Sequence, residues 1–163
     1  MAGSRIRIDL LGSEALRLRL GKAGDAFENP HPLLAQIGEY LVGSTKERFR
    51  TERDPSGAPW APLSEATLRR KKKNRDRILT LEGYLGSQIS WRASRDELLV
   101  GSSRKYAGTH QFGAKKGQYG TTSRGSPVPW GDIPARPFLG VSDDDEREIL
   151  DLMSEYVADA FGR

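Results

Sequence analysis

The chain has 163 residues, 36 % of them apolar and 29 % charged, with a formal net charge of +4. That length suits one domain built on one core, and the composition excludes a disordered chain. There is no cysteine, which excludes disulfides and thiolate metal sites, and no run approaches the ~18 apolar residues of a membrane span.

An isoelectric point near 9.5 permits contact with nucleic acid without requiring it. The first residues lack an apolar stretch behind a basic start, so no signal peptide is expected. Arg5 to Leu10 ("RIRIDL") alternates charged and apolar side chains and predicts a short strand. "SEALRLRL", from Ser13, reads as a helix or a second strand, with helix favoured, and Gly21 to Pro32 reads as a loop.

Pro32 suits a first helical turn, and Leu33, Leu34, Ile37, Tyr40, Leu41 and Phe49 follow at helical spacing to about Arg53. The basic residues Lys46, Arg48 and Arg50 suit the negative end of that helix dipole. "PSGAPWAPLS" predicts a rigid loop carrying Trp60 as a core tryptophan pinned by prolines. Ser64 caps a short helix, "SEATLRR", which runs into "KKKNRDR", and another short helix is predicted from near Thr80.

The period then changes to two. Ile89, Trp91 and Ala93, the turn "SRDE", and Leu98 with Val100 predict a β-hairpin over residues 88–102. "RKYAGTHQFG" predicts a helical turn ended by Gly113. Lys115 to Gly131, rich in Gly, Ser, Thr and Pro, predicts a long extended loop. "IPARPFLG", Ile133 to Gly140, is a strap stiffened by two prolines. Ser142 then caps a helix whose first turn is acidic and whose apolar stripe is Ile149, Leu152, Met153, Tyr156, Val157 and Ala160.

The search for chemistry assigns no catalytic residue, cofactor or metal. The two histidines, His31 and His110, are far apart, and HExxH, CxxC, EF-hand, P-loop, GxGxxG and GxSxG patterns are absent. Asp143, Asp144 and Asp145 read as an acidic first helical turn rather than a metal cluster. His110 reads as a polar residue at a subdomain or subunit contact rather than a general base. The run Leu68 to Arg77 makes Arg69, Arg70, Lys71, Lys72, Lys73, Arg75 and Arg77 the candidates for contact with DNA or another polyanion, against the plainer reading of a solvated helix end.

Four segments, in this order, resemble the phage virion morphogenesis family, the tail-completion proteins of Mu-like phages and prophages. They are "RFRTERDPSGAPWAPLSEATLRRKK", "ILTLEGYLGSQISW", "VGSSRKYAGTHQFGAKKG" and "IPARPFLGVSDDD". The positions that carry the resemblance include Gly57, Trp60, Gly83, Tyr106, His110, Gln111, Phe112, Gly113, Arg136, Phe138 and Gly140, and it extends from about Leu33 to Phe161.

The resemblance implies a structural part that completes the tail or joins tail to head as a ring around the DNA channel. It implies a homo-oligomer, a hexamer by family likeness, meeting head–tail connector and tail tube or tail terminator proteins. Packaged double-stranded DNA in the lumen and a location in the virion, after assembly in the host cytoplasm, follow from the same likeness. It implies no enzyme activity and no membrane. The alternative is a nucleic-acid-binding or assembly-chaperone protein that acts in morphogenesis but is absent from the particle.

The expected fold is a single α+β domain over residues 1–163, with an arm at 1–31 and an extended loop at 114–131. A small antiparallel sheet is covered by the long helix of the N-terminal third and by the C-terminal helix. The strap packs on its own subunit or docks on a neighbour. In the second case Arg136 meets a carboxylate, while Phe138 and Leu139 fill a pocket. Trp130, Arg136, Phe138, Leu139, His110 and Phe112 are the candidate subunit or partner contacts.

Overall fold

The computed structural model describes residues 4–8 and 30–160. The segment "SEALRLRL" and residues 21–29 of the expected loop lie outside the described residues. In chain order the elements are β1 (Ser4–Ile8), α1 (His31–Thr51), α2 (Glu65–Arg70), α3 (Tyr84–Ser87), β2 (Ile89–Ala93), β3 (Leu98–Ser102), α4 (Ala107–Phe112) and α5 (Asp143–Ala160). The architecture is α+β, as the sequence predicts.

The sheet is antiparallel and ordered β1-β3-β2, so β3 is central. Trp91 pairs with Val100 across the hairpin, and Ile6 pairs with Val100 on the other side. A strand that is central needs apolar side chains on its core face, and Leu98 and Val100 supply them at 1 % and 3 % exposure. The turn at 94–97 closes with Ser94 N–H donating to Glu97 O at 2.8 Å.

α1 lies on the sheet through Leu33, Leu34, Ile37 and Leu41, the predicted stripe, all buried. It approaches so closely that a Cβ at Gly38 would sit 2.7 Å from the Trp91 ring. Only glycine permits that helix–sheet contact. α5 covers the other side of α1 with Ile149 and Met153, joined by the half-buried Leu152 and Tyr156. No helix among the described residues is long and apolar enough to cross a membrane.

Two boundaries differ from expectation. The helix predicted from Thr80 begins at Tyr84, because the backbone turns at Leu79 (φ 53°) and bends through residues 81–83 before it winds. The stretch 115–131 folds back on itself. Tyr119 N donates to Val128 O, Val128 N to Gly120 O and Thr122 N to Ser126 O, each at 2.8 Å. These backbone bonds satisfy a segment that has few apolar side chains to bury.

Candidate functional site

The strap is the hub of the core. Phe138 is fully buried and Leu139 is 3 % exposed. The Phe138 ring lies 5.3 Å from Phe49, which meets Trp60 edge-on at 5.4 Å. Trp60 Nε1 donates to Pro137 O at 2.7 Å, so the tryptophan pinned by prolines is indeed a core residue. The Gln111 side chain acts as a short neighbouring strand. Its Oε1 accepts from Phe138 N and Leu139 N at 3.0 Å, and its Nε2 donates to Leu139 O at 2.9 Å.

This corrects the interface assignment. Phe138 and Leu139 fill a pocket of their own subunit and present no surface to a neighbour. Arg136 is 6 % exposed and meets carbonyls rather than a carboxylate: Nε donates to Ala61 O at 2.7 Å and Nη2 to Pro62 O at 2.9 Å.

A polar pin fastens the strap to α1. Arg48 is 6 % exposed, not a solvated residue at the helix end. Its Nη1 donates to Phe138 O at 3.1 Å and to Gly140 O at 2.9 Å, and its Nη2 bonds the Asp145 carboxylate. Asp145 also accepts from Ser142 N at 2.8 Å, while Ser142 Oγ accepts from Asp145 N at 3.1 Å. That is a reciprocal cap with aspartate in the acidic position. Burial pushes the Asp145 carboxyl up, but hydrogen bonds from Ser44 and Ser142 and the Arg48 charge outweigh it and hold it below the ordinary aspartate range. Burial first, then the Asp145 charge, push the Tyr40 phenol to about 12. Of the three aspartates, only Asp145 is buried, so the acidic first turn is solvated apart from this one structural group.

Beside the strap runs a groove of about 660 Å³. Leu63 and Thr67 form one wall, Leu79, Tyr84 and Leu85 the next, Tyr106 and His110 the third, and Ile133 with Pro134 the last. Gly113 makes the last wall achievable. It ends α4 at φ 75°, and a Cβ there would lie 2.8 Å from Ile133 O.

His110 is set between α4 and the strap. Its carbonyl accepts from Arg136 N at 2.7 Å, its ring lies 6.0 Å from Tyr106, and its buried Nδ1 has no hydrogen-bond partner. Burial, then the Arg136 charge, lower its pKa to about 4, so it is neutral at pH 7. A base whose folded pKa lies below its unfolded value leaves the unfolded chain binding more protons between the two. Stability is therefore complete above pH ~6.5 and falls as pH drops towards 4. Urea titrations should show wild type losing about 2 kcal/mol between pH 7.5 and 5.0, and His110→Gln losing much less. Equal losses in the two proteins would contradict this placement of the ring.

The mouth of the groove is aromatic. Tyr84 is 54 % exposed, Tyr106 43 %, Phe112 75 %, Tyr119 52 % and Trp130 63 %, with Leu68 at 38 % and Leu81 at 49 %. Among the described residues only Leu150, on α5, is a comparably exposed large apolar side chain elsewhere. Trp130 carries the Arg70 guanidinium 4.5 Å above its ring, and Arg104 sits 5.0 Å over Tyr84. Such cation–π pairs hold wet aromatics in place at about 0.5–1 kcal/mol each.

The basic run divides by role. Arg77 caps α1, Nη2 donating to Phe49 O at 2.9 Å and Arg50 O at 3.0 Å, with Glu52 beside it at 3.4 Å. Lys71 bonds Asn74 O and Arg77 O, and Arg75 reaches Leu68 O at 3.1 Å. Lys73 pairs with Glu82 at 3.0 Å, and Arg69 lies 3.7 Å from Glu65. Arg69, Lys72, Lys73 and Arg75 are exposed, whereas Lys71 and Arg77 are half-buried loop braces. Adjacency in sequence suggested one polyanion patch. The fold instead turns two of its members inward to satisfy carbonyls. Among the described residues no group of three or more acidic or histidine side chains is placed to hold a metal ion.

The model of the phage virion morphogenesis family matches residues 11–158. Protein G of Escherichia phage Mu, named for capsid assembly, is 33 % identical over 124 residues, 74 % of each chain. The FluMu G protein 2 of a Mu-like prophage in Haemophilus influenzae is 27 % identical over 151 residues, 93 % of this chain and 95 % of its own. The tail completion protein S of Escherichia phage P2 is 28 % identical over 125 residues, 74 % of this chain and 79 % of its own. No solved structure matches.

Proposed function

The chain belongs to the phage virion morphogenesis family, and from that premise we propose that it is a structural part of the particle, completing the tail or joining tail to head as a ring around the DNA channel. The observation that carries this reading is the crowding of exposed aromatic side chains around one groove, beside a strap that the fold holds rigid. Apolar surface gathered in one place and rich in Tyr, Trp and Phe is what protein–protein contacts use. A relative named for tail completion and another named for capsid assembly agree with it.

In this reading Phe112 and Trp130 touch the neighbouring subunit or the next ring, and His110 supports that wall from behind. The ring, a hexamer by family likeness, meets the connector on one side and the tail tube or terminator on the other. The exposed cations Arg69, Lys72, Lys73 and Arg75 face the packaged DNA or an acidic partner. No catalytic step is assigned to the chain, and its place is the tail end or head–tail junction of the virion. Light scattering of the purified protein, alone and with tail tubes, tests it. A closed ring in either condition supports the reading. A monomer that ignores tubes and binds DNA with steep salt dependence would replace it with the assembly-factor alternative.

A further inference from the structure

Resting on the ring reading, we propose that the subunit contact is made by the outer face of α5 of one copy seated in the groove mouth of the next. A ring interface is heterologous: each subunit must carry two different, mutually complementary patches. This chain has such a pair.

The first patch is the groove, apolar inside and basic at its rim. Arg69, Lys72 and Lys105 are exposed around it. Its acidic lining residues are already answered, Glu82 by Lys73 at 3.0 Å and Asp132 by Lys115 at 3.1 Å, so the rim that remains is cationic.

The second patch is α5. Its inner side is spent on α1, through Ile149 and Met153. Its outer side carries Asp144, Glu148, Asp151 and Glu155, all exposed, at the i, i+4, i+7, i+11 spacing that makes one stripe. Arg147 is the cation among them and is bonded to Asp144. Leu150, 53 % exposed, is the one large apolar side chain on that side among the described residues. An acidic helix face bearing one leucine suits a basic-rimmed apolar groove: the carboxylates meet the rim, and Leu150 enters between Tyr84 and Tyr106. Opposite charge sets the register, and the apolar contact supplies the part of the affinity that salt does not screen.

Charge reversal on the full chain tests this, with mass and affinity of assembly read by sedimentation, alone and with tail tubes. One variant is Arg69→Glu with Lys72→Glu, and the other is Glu148→Lys with Asp151→Lys. All four positions are exposed, so circular dichroism should match wild type. Each variant alone should assemble at least about tenfold more weakly, because like charges then face each other. An equimolar mixture should recover assembly, since each variant's altered face complements the unaltered face of the other.

Assembly of wild type with both variants unaffected overturns this interface and leaves the ring reading standing. A wild type that never assembles, even on tubes, overturns both. Loss of DNA binding without loss of assembly in the rim variant assigns the rim to DNA and also overturns the proposal.

Discussion

Replacing Arg48 with methionine should destabilise the protein by about 3–5 kcal/mol, the cost of leaving one member of a buried ion pair alone. The reason is the number of groups that one guanidinium serves. Phe138 O at 3.1 Å, Gly140 O at 2.9 Å, Ser44 Oγ at 3.2 Å and the Asp145 carboxylate all lose their donor together. Asp145, 1 % exposed, would keep a charge with only Ser142 to answer it. A loss of that size lowers Tm by about 10–20 °C for a domain of this length.

The double variant Arg48→Met, Asp145→Leu should lose less than the two single variants added, because removing both charges together avoids the uncompensated one. The pair also sets an acid limit. A carboxyl held below its ordinary pKa stabilises the fold fully above that ordinary value, near 3.8, and the contribution is lost as pH falls through its folded pKa. Thermal unfolding at pH 7 decides the point, and an Arg48→Met variant within about 1 kcal/mol of wild type would contradict the role given to this residue.

Phe138→Ala should cost about 3–5 kcal/mol, the loss typical of a large aromatic deleted from a packed core. Phe138 is fully buried, and its ring holds Phe49 at 5.3 Å, which in turn holds Trp60 at 5.4 Å. Rotating strap and loop together into the cavity is opposed by Pro137 and by the three hydrogen bonds to Gln111. The measurement also separates the two roles considered for the strap. A core residue lowers the unfolding free energy of the monomer. A residue reserved for a neighbour would leave the monomer stable and weaken only its assembly, which the structure does not favour.

Elements whose signal is a period were legible. Leu33 to Leu41 repeats at helical spacing, and α1 forms there. Ile89 to Val100 alternates, and the hairpin forms in the expected place, because one buried face imposes each period on its own short segment. Polar residues that work at long range were not legible. Arg48 and Asp145 are 97 positions apart, and each stands where a milder local explanation exists: a cation at a helix end and an acid in a first turn. Gln111 gave no local sign that its amide would serve as a strand for Phe138 and Leu139. The basic run was read as one feature, since composition cannot tell which lysine turns inward. Lys71 and Arg77 do so to satisfy carbonyls freed by the turn after α2 and by the end of α1. Residues 115–131 lacked a period because backbone bonds, not side chains, order them.

The claim that joins these observations is that the chain is built into the particle. Quantitative mass spectrometry of purified virions, against a labelled standard of this protein, tests it most directly. The account predicts a fixed number of copies per particle, on the scale of one ring and unchanged by nuclease and high-salt washing. Abundance in the infected-cell lysate with none in washed particles would contradict it, and would make the protein an assembly factor instead.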